Sequence, residues 1–171
     1  MQLTAFDHAL RAWIVGHRLP LLDPIFEALS LAGTAGIIWY IAAIALFAGK
    51  RIRLEAFTRF VLTVLLTWLI VERLLKPIIQ RERPFVHGLQ IPVLGIRAAD
   101  FSFPSGHAAI SFAAAFALSR LVPRARVVWW TLAVAIAFSR IYVGVHYPLD
   151  VVAGALIGVA CAYVGMREIR A

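Results

Sequence analysis

Cysteine is nearly absent from this sequence: Cys161 is the only one in 171 residues. That excludes an internal disulfide and a cysteine-based metal cluster. Lying in an apolar helical run, Cys161 reads as a small buried side chain. Charge is also scarce. Asp, Glu, Lys and Arg make up 15% of the residues, against roughly 25% in an ordinary soluble domain. Hydrophobic residues make up 62%, and the mean hydropathy is +0.85. That apolar excess is too large for a small soluble core, so most of the chain is expected in a bilayer. Acidic side chains are scarcer than basic ones, 9 against 17, for a net charge of +8. No basic run is interleaved with exposed aromatics, so nucleic acid is not an expected partner. The charges fall between apolar segments, which suits anionic lipid headgroups or an anionic substrate. The opening MQLTAFDHALRAW lacks a basic start, an apolar run and a small-residue cleavage site, so no cleavable signal peptide is read there. With no internal repeat and no low-complexity linker, residues 1–171 read as one domain.

What is present is a series of apolar helical segments. Residues 3–19 carry Leu3, Phe6, Leu10, Trp13 and Ile14 at steps of three and four, with Asp7, His8, Arg11, His17 and Arg18 on the other side. Thr4 with Asp7 resembles a capping box. The segment is too polar to span, so it is expected to lie in the membrane interface. Spanning helices are expected over about 24–48, 55–75, 104–121, 127–145 and 148–166, with a polar loop over 76–103. The fold class is therefore an all-α membrane bundle of five spans plus an N-terminal interfacial helix. Basic residues then set the orientation. Lys50, Arg51 and Arg53, then Arg120, Arg124 and Arg126, then Arg167 and Arg170 fall on one side, expected to be the cytoplasm. The 76–103 loop, also basic, faces outward.

Three clusters lie at span ends on that outward side: KPIIQRERP, PSGH and SRIYVGVHYPLD. Lys76, Arg83 and Arg140 are cations without a matching number of nearby carboxylates, and near a membrane they need an anion. Ser105 and Gly106 begin a helix, where free amides and the helix dipole favour negative charge. Together they suit a phosphate, with arginine forks on its oxygens. His146 and Asp150 are four apart, with Pro148 placed to start a helix. Asp150 could hold the Nδ1–H of His146 and leave Nε2 as a nucleophile. His107 could protonate a leaving oxygen. Singly, each residue has a structural explanation: a helix-start histidine, a snorkelling arginine, an N-terminal aspartate. Their convergence on one surface is what favours a site.

Other polar residues read as structural. Glu72 and Arg73 suit an ion pair or an interfacial anchor, and Arg81 and Glu82 suit exposed positions. Ser102 is a candidate cap for the third span. His87, Arg97 and Asp100 read as loop residues, with shaping of substrate entry the alternative. Trp129 and Trp130 suit an aromatic belt, and Gly154 and Gly158 suit close helix packing.

The three clusters resemble the type 2 phosphatidic acid phosphatase family, whose pattern is KxxxxxxRP, PSGH and SRxxxxxHxxxD. Every defining position matches: Lys76, Arg83, Pro84; Pro104, Ser105, Gly106, His107; Ser139, Arg140, His146, Asp150. The resemblance implies that His146 attacks phosphorus to form a phosphohistidine and that Asp150 orients it. His107 would protonate the leaving group and then activate water. Lys76, Arg83, Arg140, Ser105 and the Gly106 backbone would bind the phosphoryl oxygens. It implies no metal or other cofactor. It also implies a lipid phosphate or diphosphate substrate, with undecaprenyl diphosphate favoured. Phosphatidylglycerol phosphate, phosphatidic acid and lipid A 1-phosphate stay open, as does a non-catalytic lipid-phosphate binder or carrier. Membrane members of the family often have six spans, whereas five are counted here.

Overall fold

The computed structural model describes residues 2–86, 93–95 and 99–167. His87 and Arg97 lie outside the described residues. All regular structure among those described is helical. Helix α1 spans Gln2–Gly16, α2 Asp23–Ala32 and α3 Ile37–Ala48. Helix α4 runs over Leu54–Ile79, α5 over Gly106–Leu121, α6 over Arg126–Tyr142 and α7 over Pro148–Gly165.

Helix α1 is amphipathic, and its polar face points inward. Asp7 and Arg11 are 0% and 1% exposed, whereas Phe6 and Trp13 are 66% and 61% exposed. The apolar face is thus free for lipid, and the polar face is keyed to the protein. Thr4 lies inside the helix rather than at its cap. Asp7 accepts a hydrogen bond from the Leu149 amide instead (2.8 Å), so the expected capping box does not form.

The expected span over 24–48 is broken. A 3-10 turn, Thr34–Gly36, separates α2 from α3, and the two helices bend by 54°. Gly36 has φ +74°, a left-handed conformation that costs glycine little. Gly33 is needed for room: a Cβ there would stand 2.5 Å from Ile136 Cγ2 and 2.9 Å from His107 Cδ2.

Helix α4 is 26 residues long and reaches past the expected end at 75. A π-helical stretch, Leu69–Leu75, precedes a last α-turn holding Lys76, which is buried. Such widened turns shift the helix face and are frequent near functional sites. The chain leaves α4 at Gln80 with φ +51°.

Among the described residues, three helices are long and apolar enough to cross a membrane: Leu54–Ile79, Pro123–Tyr142 and Pro148–Gly165, with the α2–α3 pair a fourth if counted as one broken span. Four of the five expected spans meet this test, the first of them as the broken pair; the fifth, expected over 104–121, is the shorter helix α5. Helix α5 has 16 residues because Pro104 and Ser105 stay outside it, Ser105 being extended. Its length, about 24 Å at 1.5 Å per residue, falls short of a typical hydrocarbon core of about 30 Å. It is the buried centre of the bundle and runs from the site end to the opposite end, from which α6 returns. Ala108, Ala109, Ala113, Ala114, Ala115 and Ala117 are all fully buried, and these small side chains let neighbouring helices approach. Helix α7 approaches closest. A Cβ at Gly154 would stand 2.4 Å from Ser105 O, and one at Gly158 would stand 2.1 Å from Ala109 O.

Candidate active site

The site lies at the end of the bundle where α4 stops, α5 begins, α6 stops and α7 begins. His146 sits in the α6–α7 turn, and its amide donates to Arg140 O, as does that of Val145 (3.2 Å each). Gly144 makes this turn with φ +89°. The His146 side chain is buried, with Nδ1 3.4 Å from Asp150 Oδ2. The other nitrogen, Nε2, is 3.3 Å from Arg83 Nη1.

Asp150 is fully buried and heavily partnered. Its Oδ2 accepts the Tyr147 amide (2.9 Å) and the Ser102 hydroxyl. Ser102 Oγ also stands 3.4 Å from His146 Nδ1. Asp150 Oδ1 accepts Arg81 Nη1 at 2.6 Å. The Asp150 carbonyl accepts the Ser105 amide (2.9 Å), which ties the head of α5 to the head of α7. Ser102 therefore serves the His146–Asp150 pair. The cap of α5 is Ser105, whose hydroxyl accepts the Ala108 amide at 3.5 Å.

Lys76 and Arg83 share one carboxylate. Lys76 Nζ pairs with Asp100 Oδ2 and, at 2.9 Å, with Glu72 Oε2. Arg83 Nη2 pairs with Asp100 Oδ1 at 2.7 Å, Nε donates to Asp100 O at 2.7 Å, and Nη1 donates to Val145 O at 3.0 Å. Burial pushes the Asp100 carboxyl up, but Lys76 and Arg83 outweigh it and hold the group well below the usual carboxylate range. Asp100 is thus an anion seated on two cations of the cradle. His146 is shifted down by burial first, then by the charges of Arg83, Arg140 and Lys76, with Asp100 opposing. The charged form of its imidazole is thus disfavoured.

His107 and Arg140 form a neighbouring group around Ser30 of α2. His107 Nε2 lies 3.2 Å from Ser30 O, and Arg140 Nη1 donates to Ser30 Oγ. The Arg140 Nε is buried and has no hydrogen-bond partner among the described residues. Both side chains border a cavity of about 460 Å³, lined also by Pro24, Glu27, Leu31 and Leu94. Gly106 faces Glu72: a Cβ there would stand 2.1 Å from Glu72 Oε1. Among the described residues, no group of three or more His, Cys, Asp or Glu side chains is placed to hold a metal ion.

The eight residues singled out from sequence thus occupy one end of the bundle in two adjacent groups. One holds His146, Asp150, Arg83, Lys76 and Ser105; the other holds His107 and Arg140; Gly106 lies beside Glu72. Two structural expectations are corrected. Glu72 pairs with Lys76 and not with Arg73, because adjacent residues on a helix do not face each other. Arg73 instead lies over the Trp68 ring, 5.4 Å from its centroid. Arg81 is not simply exposed; it pairs with Asp7 and Asp150 at 2.6 Å each. Sequence reasoning also missed Asp7 and Ser30, and it left Asp100 as a loop residue. A lone serine in an apolar helix carries no signal of its partner. Asp7, an acid in an otherwise membrane-facing helix, did carry one.

Comparison with known proteins gives a consistent result. Residues 56–170 match the model of the PAP2 superfamily. The chain is 34% identical over 126 residues to an undecaprenyl-diphosphatase of Sulfolobus acidocaldarius, covering 71% of this chain and 58% of that protein. It is 33% identical over 157 residues to a lipid A 4'-phosphatase of Porphyromonas gingivalis, covering 84% of this chain and 64% of that one. It therefore spans about three-fifths of the length of these relatives. The crystal structure of Aquifex aeolicus LpxE superposes with a TM-score of 0.81 at 31% identity, over 94% of both chains. The chain belongs to the PAP2 superfamily, and with its apolar helices it is a multi-pass membrane protein.

Proposed function

We propose that this PAP2 superfamily member is a membrane lipid phosphatase that works through a phosphohistidine on His146. The observation that carries this reading is the setting of the imidazole: Nδ1 faces Asp150 and Nε2 faces the Arg83 guanidinium. A phosphoryl group at Nε2 would lie against a cation; the Nε2 lone pair, which faces Arg83 Nη1–H, attacks phosphorus once a phosphate draws that guanidinium to its own oxygens, while Asp150 holds the opposite nitrogen. In the first step the Nε2–P bond forms and the bond from phosphorus to the leaving oxygen breaks. His107 gives that oxygen its proton. In the second step His107 takes a proton from water, whose oxygen attacks phosphorus. The P–Nε2 bond breaks, inorganic phosphate leaves and His146 returns neutral. Lys76, Arg83, Arg140, the Ser105 hydroxyl and the Gly106 backbone would hold the phosphoryl oxygens, whose charge spreads in the transition state.

Asp100 pairs with two cations of that cradle, so a phosphate must take over Lys76 and Arg83 from it. The cavity beside His107 and Arg140 has apolar walls from α2, which suits the hydrophobic part of a lipid next to its leaving oxygen. Undecaprenyl diphosphate is the favoured substrate; phosphatidylglycerol phosphate, phosphatidic acid and lipid A 1-phosphate are the alternatives. Basic connections at Lys50–Arg53 and Arg120–Arg126 favour a cytoplasmic-membrane protein with the site on the outer face.

The test is phosphate release by detergent-purified protein from these four lipids, with and without EDTA. Continuous release, unchanged by chelator, is expected, and the ranking identifies the substrate. Release that EDTA abolishes and a divalent ion restores would contradict the metal-free mechanism. Stoichiometric binding without release would make the protein a lipid-phosphate binder.

A further inference from the structure

The proposed chemistry makes no use of Arg81, which joins the buried carboxylate of Asp150 to that of Asp7. Arg81 follows the left-handed turn at Gln80, in a stretch without helical structure that leads into Arg83. Its side chain is about one-fifth exposed, against 0% for both carboxylates it joins. Nη1 donates to Asp150 Oδ1 and Nη2 to Asp7 Oδ2, each at 2.6 Å. The guanidinium also lies over the Tyr147 ring, 4.1 Å from its centroid. The backbone of Arg81 acts at the same place, since its carbonyl accepts the Ser102 amide (2.7 Å). Ser102 in turn holds the other oxygen of Asp150. Asp7 uses its second oxygen for the Leu149 amide, in the first turn of α7.

We infer that Arg81 is a positioning residue for the His146–Asp150 pair, and that it makes the setting of that pair depend on the interfacial helix α1 through Asp7. The inference rests on the nucleophile reading above. Its physical basis is a division of labour between two oxygens. Oδ2 of Asp150 faces His146, Ser102 and the Tyr147 amide, while Oδ1 has Arg81. Remove Arg81 and Oδ1 becomes a buried unpaired acceptor. The carboxylate can then rotate, and His146 loses its fixed orientation. Arginine suits the role because its planar fork spans two carboxylates at once, which a lysine ammonium cannot match. Arg81 touches neither the imidazole nor the cradle cations in the described contacts, so it acts through Asp150. Asp7 acts one step further out and fastens α1 to the same fork. Displacing α1 in the interface would therefore be felt at the nucleophile.

The test is a mutant cycle on the full-length protein in detergent, with substrate turnover and 15N-histidine NMR as independent readouts. Arg81→Gln is expected to lower kcat by about 10–100-fold, the size of losing one hydrogen bond to a charged group, with KM changed less than about threefold. In an Asp150→Asn background, Arg81→Gln is expected to cost no further activity. Asp7→Asn is expected to give a smaller loss of the same kind, and Arg81→Lys an intermediate one. Equal losses in both backgrounds would overturn the inference, because a merely structural arginine is additive with Asp150. So would a KM effect with kcat intact. The His146 resonances are expected to shift in Arg81→Gln and in Asp7→Asn; unchanged resonances would also overturn it. If the unmodified protein releases no phosphate, the phosphatase reading fails, and the NMR comparison still decides the positioning role. Should Arg81→Gln not fold, Asp7→Asn and Arg81→Lys carry the same comparison.

Discussion

Gly158 of α7 lies so close to Ala109 of α5 that a Cβ on the glycine would stand 2.1 Å from the Ala109 carbonyl oxygen. One turn earlier, Gly154 has the same relationship to Ser105. The obstacle in both cases is backbone, which cannot rotate away. The head of α5, with Ser105, Gly106 and His107, is therefore set by how closely α7 can approach.

Gly158→Ala is expected to destabilise the bundle by about 1–3 kcal/mol, the usual cost of overpacking, and to lower activity by moving α5 against α7. Gly16→Ala is the control, because a Cβ there meets nothing within 4 Å. Thermal unfolding in detergent checks both. Equal melting temperatures for the two variants would contradict the packing account.

His146 is held below the ordinary histidine range by burial, reinforced by Arg83, Arg140 and Lys76. A depressed value means that the ring stays neutral as pH falls through 6.5, and that protonation sets in only at lower pH. The nucleophile of the free enzyme should therefore remain available under mildly acidic conditions. In 15N-histidine NMR, the signals lost in His146→Ala should retain neutral-ring shifts at pH 6.5 in the unmodified protein. A signal half-titrated at or above that pH would contradict the electrostatic account.

Asp100 sits on the two cations that a phosphate needs. Asp100→Asn removes that competing charge, so vanadate and inorganic phosphate should inhibit more strongly, by roughly three- to tenfold, the size of a charge effect in a partly screened site. Inhibition constants under constant ionic strength measure this. Weaker inhibition would mean that Asp100 chiefly holds Lys76 and Arg83 in place.

Much of this organisation could be read from the sequence, for identifiable reasons. Long apolar helices follow from composition, and the three clusters follow from residue types that only an anion reconciles with a membrane. The break between α2 and α3 could not be read. Gly33 is required by Ile136 and His107, which approach it only in the folded bundle. That helix α5 is the buried centre could not be read either: its alanines are as apolar as lipid-facing residues, and only the fold shows their small size serving close packing. The inward polar face of α1 was visible as amphipathicity, but amphipathicity alone does not say which face meets the protein. Arg81 was hidden for a similar reason. Its partners are 74 residues before it and 69 after it, and only the fold brings all three together.

The central claim is that His146 carries the phosphoryl group. Brief turnover of 32P-labelled lipid, followed by rapid denaturing quench and peptide mapping, tests it most directly. The account predicts an acid-labile, base-stable label on the peptide containing His146, absent from His146→Ala, whose phosphate release is also lost. Label on another residue, or release at the unmodified rate by His146→Ala, would contradict it.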